Sequence, residues 1–94
     1  METTTRLVLM DGGFTPDDAQ EILLKFIVAK INYNKIKNLS HQVHYNREDP
    51  LAAKRIEDLY KSKAIVEDLI REAREKNIQL NIKSDITIGL KYSD

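Results

Sequence analysis

The chain has 94 residues, 41% apolar and 32% charged, with fifteen basic and fifteen acidic side chains and so no net charge. That length holds one domain, residues 1–94, near the lower limit for an independent core. With no cysteine, disulfides, thiolate metal sites and a cysteine nucleophile are excluded, and a reducing, cytoplasmic setting is favoured.

"TTRLVLM", Thr4–Met10, reads as a short strand, and "DGG", Asp11–Gly13, as the turn that ends it. A strong helix start follows. Thr15 is placed to cap, Pro16 fits the first helical position, and Asp17 and Asp18 put negative charge at the positive end of the helix dipole. Phe14 is placed for a hydrophobic staple. No proline or glycine interrupts the chain before "HYNREDP", so the first helix is expected from Pro16 to about Val43. Asp49–Pro50 repeats the start signal, and the second helix is expected from Pro50 to about Lys76. Asn77 is the C-terminal stop, with Arg71, Arg74 and Lys76 where the dipole favours cations. Beyond it Ile78, Leu80, Ile82, Ile86, Ile88 and Leu90 share one parity, which is strand period, from Ile78 to Tyr92 with a bend allowed at Ser84–Asp85.

Both helices carry a stripe with alternating spacings of four and three. In the first it is Ile22, Phe26, Ala29, Tyr33, Ile36, Ser40 and Val43. In the second it is Ala52, Ile56, Leu59, Lys63, Val66, Ile70 and Ala73. Such stripes suit a coiled-coil-like seam, and the short connection between them forces an antiparallel hairpin. Tyr33 would meet Lys63, whose charge can snorkel past the ring. A catalytic role for Lys63 is disfavoured, because no second acid or base converges there. The expected architecture is α+β, in the order β-α-α-β: a long antiparallel two-helix hairpin flanked by N- and C-terminal strands that pair antiparallel.

The seam leaves apolar residues over. In "EILLKFIVAKI", Leu23, Leu24, Ile27, Val28 and Ile31 lie off the stripe, and a short sheet covers only one flank, through its Ile78, Leu80 and Ile82 face with Leu7 and Leu9. Burying a leucine-sized side chain stabilises by about 1.5–3 kcal/mol, so five left wet forgo roughly 8–15 kcal/mol, as much as a whole domain's stability. These five are therefore the expected subunit interface of a homodimer or higher homo-oligomer.

Other motifs carry less. Residues 1–24 are net −4, residues 25–47 hold Lys25, Lys30, Lys35, Lys37 and Arg47 with no acid, and residues 48–94 are net −1. The middle block, with Tyr33 and Tyr45 interleaved, is the candidate nucleic-acid face, although five charges over 23 residues of helix make no dense stripe. His41 and His44, three apart, are candidate metal ligands with Glu48 and Asp49 nearby, but the usual four-residue spacing and a second histidine pair are missing. "DGG" lacks the glycine spacing and lysine of a phosphate loop. Ser40 beside His41 lacks the glycine elbow of a serine hydrolase. No cofactor is implied, and no set of acid, base and nucleophile stands out. No stretch approaches the roughly 20 apolar residues that span a bilayer, and the N-terminus lacks the form of a signal peptide.

"AKINYNKIKNLSHQ", "DPLAAKRIEDL" and "LNIKSDITIGL" resemble short bacterial proteins of one uncharacterised group. The resemblance covers most of the chain and implies no activity, cofactor or residue role. The sequence points to a non-enzymatic self-associating or protein-interaction module. The alternative is a small nucleic-acid-binding or regulatory protein that uses the Lys25–Arg47 segment.

Overall fold

The computed structural model describes residues 3–91. Strand β1 spans Thr4–Phe14. A short helix α1, Pro16–Ala19, continues through a π-helical turn, Gln20–Leu24, into α2, Lys25–Tyr45. Helix α3 spans Pro50–Lys76, and β2 spans Leu80–Gly89. The order is β-α-α-β, with α1, the π turn and α2 running as one rod antiparallel to α3.

The helix ends follow their caps. Thr15 Oγ1 accepts from the Asp18 amide at 3.1 Å, and Pro16 opens the helix. Asp49 Oδ1 accepts from Leu51 N at 3.0 Å and from Ala52 N at 3.4 Å. Asn46 and Asn77 both take the left-handed conformation that ends a helix. At Asn77 the closure is a Schellman motif. Ile78 N donates back to Ala73 O at 3.0 Å, and Asn77 N to Arg74 O at 3.2 Å.

β1 and β2 form an antiparallel two-stranded ribbon. Here the turn expected at Asp11–Gly13 is corrected: β1 runs on to Phe14, with Gly12 opposite Ile82 and Phe14 opposite Leu80. Pairing with β2 overrides the poor strand propensity of the two glycines. The register slips by one between Val8 and Met10, leaving Leu9 as the extra residue of a bulge. The slip keeps Leu7 and Met10, three apart, on one face with Ile82 and Ile86. The ribbon is thus amphipathic: Leu7, Met10, Phe14, Leu80, Ile82 and Ile86 share one face, and Arg6, Asp11, Lys83 and Asp85 the other. Arg6 and Asp85 are ion-paired on that polar face. β2 passes through Ser84–Asp85 as one strand. Ile78 and Gln79 lie before its start, and Tyr92, the expected end, falls outside the described residues.

The ribbon meets the helices mainly at its base, where β1 enters α1. Half-buried Met10, Phe14, Leu80 and Ile82 lie in that half, while Leu7, Leu9 and Ile88 are exposed. The expectation that Leu7 and Leu9 cover a flank of the first helix is therefore corrected: the ribbon projects beyond the helices. The chain measures 49 × 37 × 15 Å with a radius of gyration of 17.0 Å, against about 12 Å for a compact chain of this length. It exposes 7594 Å². A compact protein of 10.9 kDa exposes about 5,600 Å², so the excess is about 2,000 Å². Domains are normally two packed layers, and a molecule 15 Å thick is close to one.

Candidate self-association surface

Helix α3 buries the expected face. Ala52, Ile70 and Ala73 are buried, and Ile56, Leu59, Lys63 and Val66 are half-buried. The first helix does not. Its buried line is Ala19, Ile27, Ile31 and Asn34, continued by half-buried Asn38 and His41. The seam expected through Ile22, Phe26, Tyr33, Ile36 and Val43 is corrected: all five are exposed, Phe26 at 55%, Tyr33 at 58% and Ile36 at 69%.

The physical cause begins at the π turn. It accommodates one more residue per turn than an α-helix allows, so every side chain after Leu24 is rotated relative to the Thr15 cap. The loop then fixes the rotation at the other end. Asn38 Oδ1 accepts from Asp49 N at 2.7 Å, and Asn38 Nδ2 donates to Glu48 Oε1 at 3.3 Å. His41 Nδ1 donates to the Arg47 carbonyl at 3.0 Å. These bonds turn the Asn38 and His41 side of the rod toward the loop. The axial register is close to expectation, as Lys35 meeting Tyr60 and Arg74 meeting Gln20 indicate.

The five residues expected at a subunit interface divide accordingly. Ile27 and Ile31 are buried within the chain, Ile31 at 3% exposure, against α3. Leu23 and Leu24 are half-buried, and Val28 is exposed. Leu24 and Val28 line an open groove with Ala29 and Lys63. Lys63 does not meet Tyr33. Its Nζ reaches Glu67 Oε1 at 2.9 Å along the same helix, as a snorkelling lysine does.

Asn34 was not singled out in the sequence, yet it is the buried polar residue of the seam, 2% exposed. Its Nδ2 donates to Lys30 O at 2.9 Å, while Oδ1 is buried with no partner among the described residues. The signal lay in the 27-31-34-38-41 spacing, which repeats as regularly as the more apolar stripe beside it. An unpaired buried acceptor costs about 1–3 kcal/mol. Asn34→Leu is therefore expected to stabilise the protein by about 1–2 kcal/mol, read as a higher urea midpoint at unchanged slope and fixed protein concentration.

The basic segment is not gathered into one face. Lys30 and Lys37, seven residues apart, share a side of the helix, while Lys25 and Lys35 are turned away from them by its 100° step. Lys25 is ion-paired with Glu21. Lys30 Nζ lies 5.2 Å from the Tyr33 ring centroid, and Lys35 Nζ donates to Tyr60 Oη at 2.8 Å. Arg47 lies in the loop between the helices, where its carbonyl holds His41. Most acids of α3 pair within their own helix, among them Asp58 with Lys54 at 2.9 Å, Glu57 with Lys61 at 3.1 Å and Glu72 with Lys76 at 2.7 Å. The hydrogen bond to Lys76 holds the Glu72 carboxyl below the usual carboxylate range, and that to Asp58 raises the Lys54 ammonium.

The His41 ring lies against that of Tyr45, tilted by 44° with centroids 4.7 Å apart, and the His44 ring lies 6.3 Å from the same tyrosine. Among the described residues, no three of His, Cys, Asp or Glu converge to hold a metal ion. No helix of the described residues is long and apolar enough to cross a membrane. Exposed large apolar side chains include the Ile22–Val43 stripe of the first helix, the distal part of the ribbon, and Leu51, Ile65 and Leu69 on α3. Compared with known protein families, curated proteins and solved structures, the chain shows no match.

Proposed function

We propose that the chain is a non-enzymatic, self-associating protein-interaction module that works as a homodimer or higher homo-oligomer. The observation that supports this is the surface excess of about 2,000 Å² per chain, which falls in the range that obligate subunits bury on association. The location of that surface supports it too. A stripe spaced 4-3-4-3 on an exposed helix face is the pattern of a helix seated against another helix. In the first helix this stripe, Ile22 through Val43, is more apolar than the line the chain buries in its own hairpin.

Sedimentation velocity at micromolar concentration tests the reading. A dimer or larger species is expected, and a 10.9 kDa species at all concentrations ends it. The alternative, nucleic-acid binding through Lys25, Lys30, Lys35, Lys37 and Arg47, has less behind it. Phosphate contacts require cations on one face, and of the helical lysines Lys30 and Lys37 share a side while Lys25 and Lys35 are turned away and Arg47 sits in the loop beyond.

A further inference from the structure

The ribbon has two outer edges, and they are unlike. β1 is interrupted by the bulge at Leu9, and bulges blunt an edge. β2 is regular from Leu80 to Gly89, with no proline and no bulge. The backbone alternation along β2 is fixed by one bond: Leu90 N donates to Thr3 O at 3.3 Å. In an antiparallel ladder alternate residues turn their N–H and C=O to opposite sides. Ile88, Ile86, Ser84, Ile82 and Leu80 therefore turn theirs toward β1, and Asn81, Lys83, Asp85, Thr87 and Gly89 turn theirs outward as an open row.

We infer that this row is where a second copy of the chain pairs, β2 against β2 antiparallel about a two-fold axis at Ser84. The inference rests on the self-association reading and specifies its geometry. Pairing of two identical antiparallel strands sets one residue opposite itself. Centring on Lys83 or Asp85 sets like charges face to face, which is unfavourable. Centring on Ser84 pairs residues 80–88 with 88–80 and uses almost all of the strand. It sets Lys83 opposite the second copy's Asp85, and Asp85 opposite its Lys83. On the other face Ile82 meets Ile86, and Leu80 meets Ile88. Charge and apolarity are thus matched across the axis on both faces. The product is a four-stranded sheet, β1-β2-β2-β1, with one continuous apolar face. A lone two-stranded ribbon is marginal in water, and three or more strands with an apolar face are not.

Engineered cysteines test it, because the chain has none of its own. At the axis Ser84 faces Ser84 as a pair without backbone bonds, with Cα atoms about 4.5 Å apart, within disulfide reach. In oxidised Ser84→Cys, a disulfide-linked dimer is expected on non-reducing gels. Thr87→Cys, whose copies lie about 20 Å apart along the strands, is expected to stay uncrosslinked. Thr87→Pro removes an outward donor without touching the β1 ladder, so dimer formation is expected to drop while the helical circular dichroism is kept. If sedimentation gives a dimer but Ser84→Cys links no better than Thr87→Cys, or Thr87→Pro dimerises normally, the strand pairing is overturned and self-association stands. If the wild-type chain sediments as a monomer, both are overturned.

Discussion

Ile31→Glu is expected to unfold the helical hairpin, not merely to separate subunits. Ile31 sits at 3% exposure in the line that faces α3, among Ile27 and Asn34. The half-buried cation of the seam, Lys63, is already paired with Glu67, so a carboxylate there is left unpaired, and the change removes a branched side chain from packing. Burying an unpaired charge belongs to the most damaging class of substitution, costing about 4–5 kcal/mol, close to the entire stability of a small domain. The far-ultraviolet helical signal and the urea midpoint report it, and both should collapse at any protein concentration. A variant that keeps its helical signal but loses only its assembly would place Ile31 at a subunit interface instead.

The exposed stripe should behave in the opposite way. Phe26→Asp combined with Ile36→Asp changes two residues that are more than half exposed in the single chain. Neither leaves a cavity or a buried charge within the hairpin, so helix content and the monomer's urea midpoint should stay near wild type. Association through the helix stripe should be lost. Truncating an apolar anchor of a packed contact costs about 2 kcal/mol or more, so the pair should weaken that contact roughly a thousandfold. Sedimentation across a dilution series reads this directly. Unchanged association would remove the first helix's outer stripe from the interface.

The two predictions separate because the first helix carries two periodic stripes. One runs through Ile22, Phe26, Tyr33, Ile36 and Val43 and is the more apolar. The other runs through Ile27, Ile31, Asn34, Asn38 and His41 and is half polar. Ranked by hydrophobicity, the first belongs inside, yet the fold buries the second. The glycines at 12 and 13 misled for a related reason: they signal a turn locally, and only the facing strand keeps them extended. His41, whose three-residue spacing from His44 is a poor one for a ligand pair, donates to the Arg47 carbonyl and lies against the Tyr45 ring.

Local chemistry was enough for the elements and their order. Thr15–Pro16 and Asp49–Pro50 start helices because their side chains and rings suit the orphan amides of a first turn. Asn77 stops one because asparagine tolerates the left-handed conformation. The shared parity from Leu80 to Ile88 made a strand, and the helix directions made its pairing antiparallel. The face that the first helix turns inward was decided only by tertiary structure. It depends on the extra residue of the π turn at Gln20–Leu24 and on Asn38 and His41 reaching the loop at 47–49. Neither is encoded in the 3.6-residue period: the π turn departs from it through its own wider backbone bonds, and Asn38 and His41 bond to a loop six to eleven residues further on.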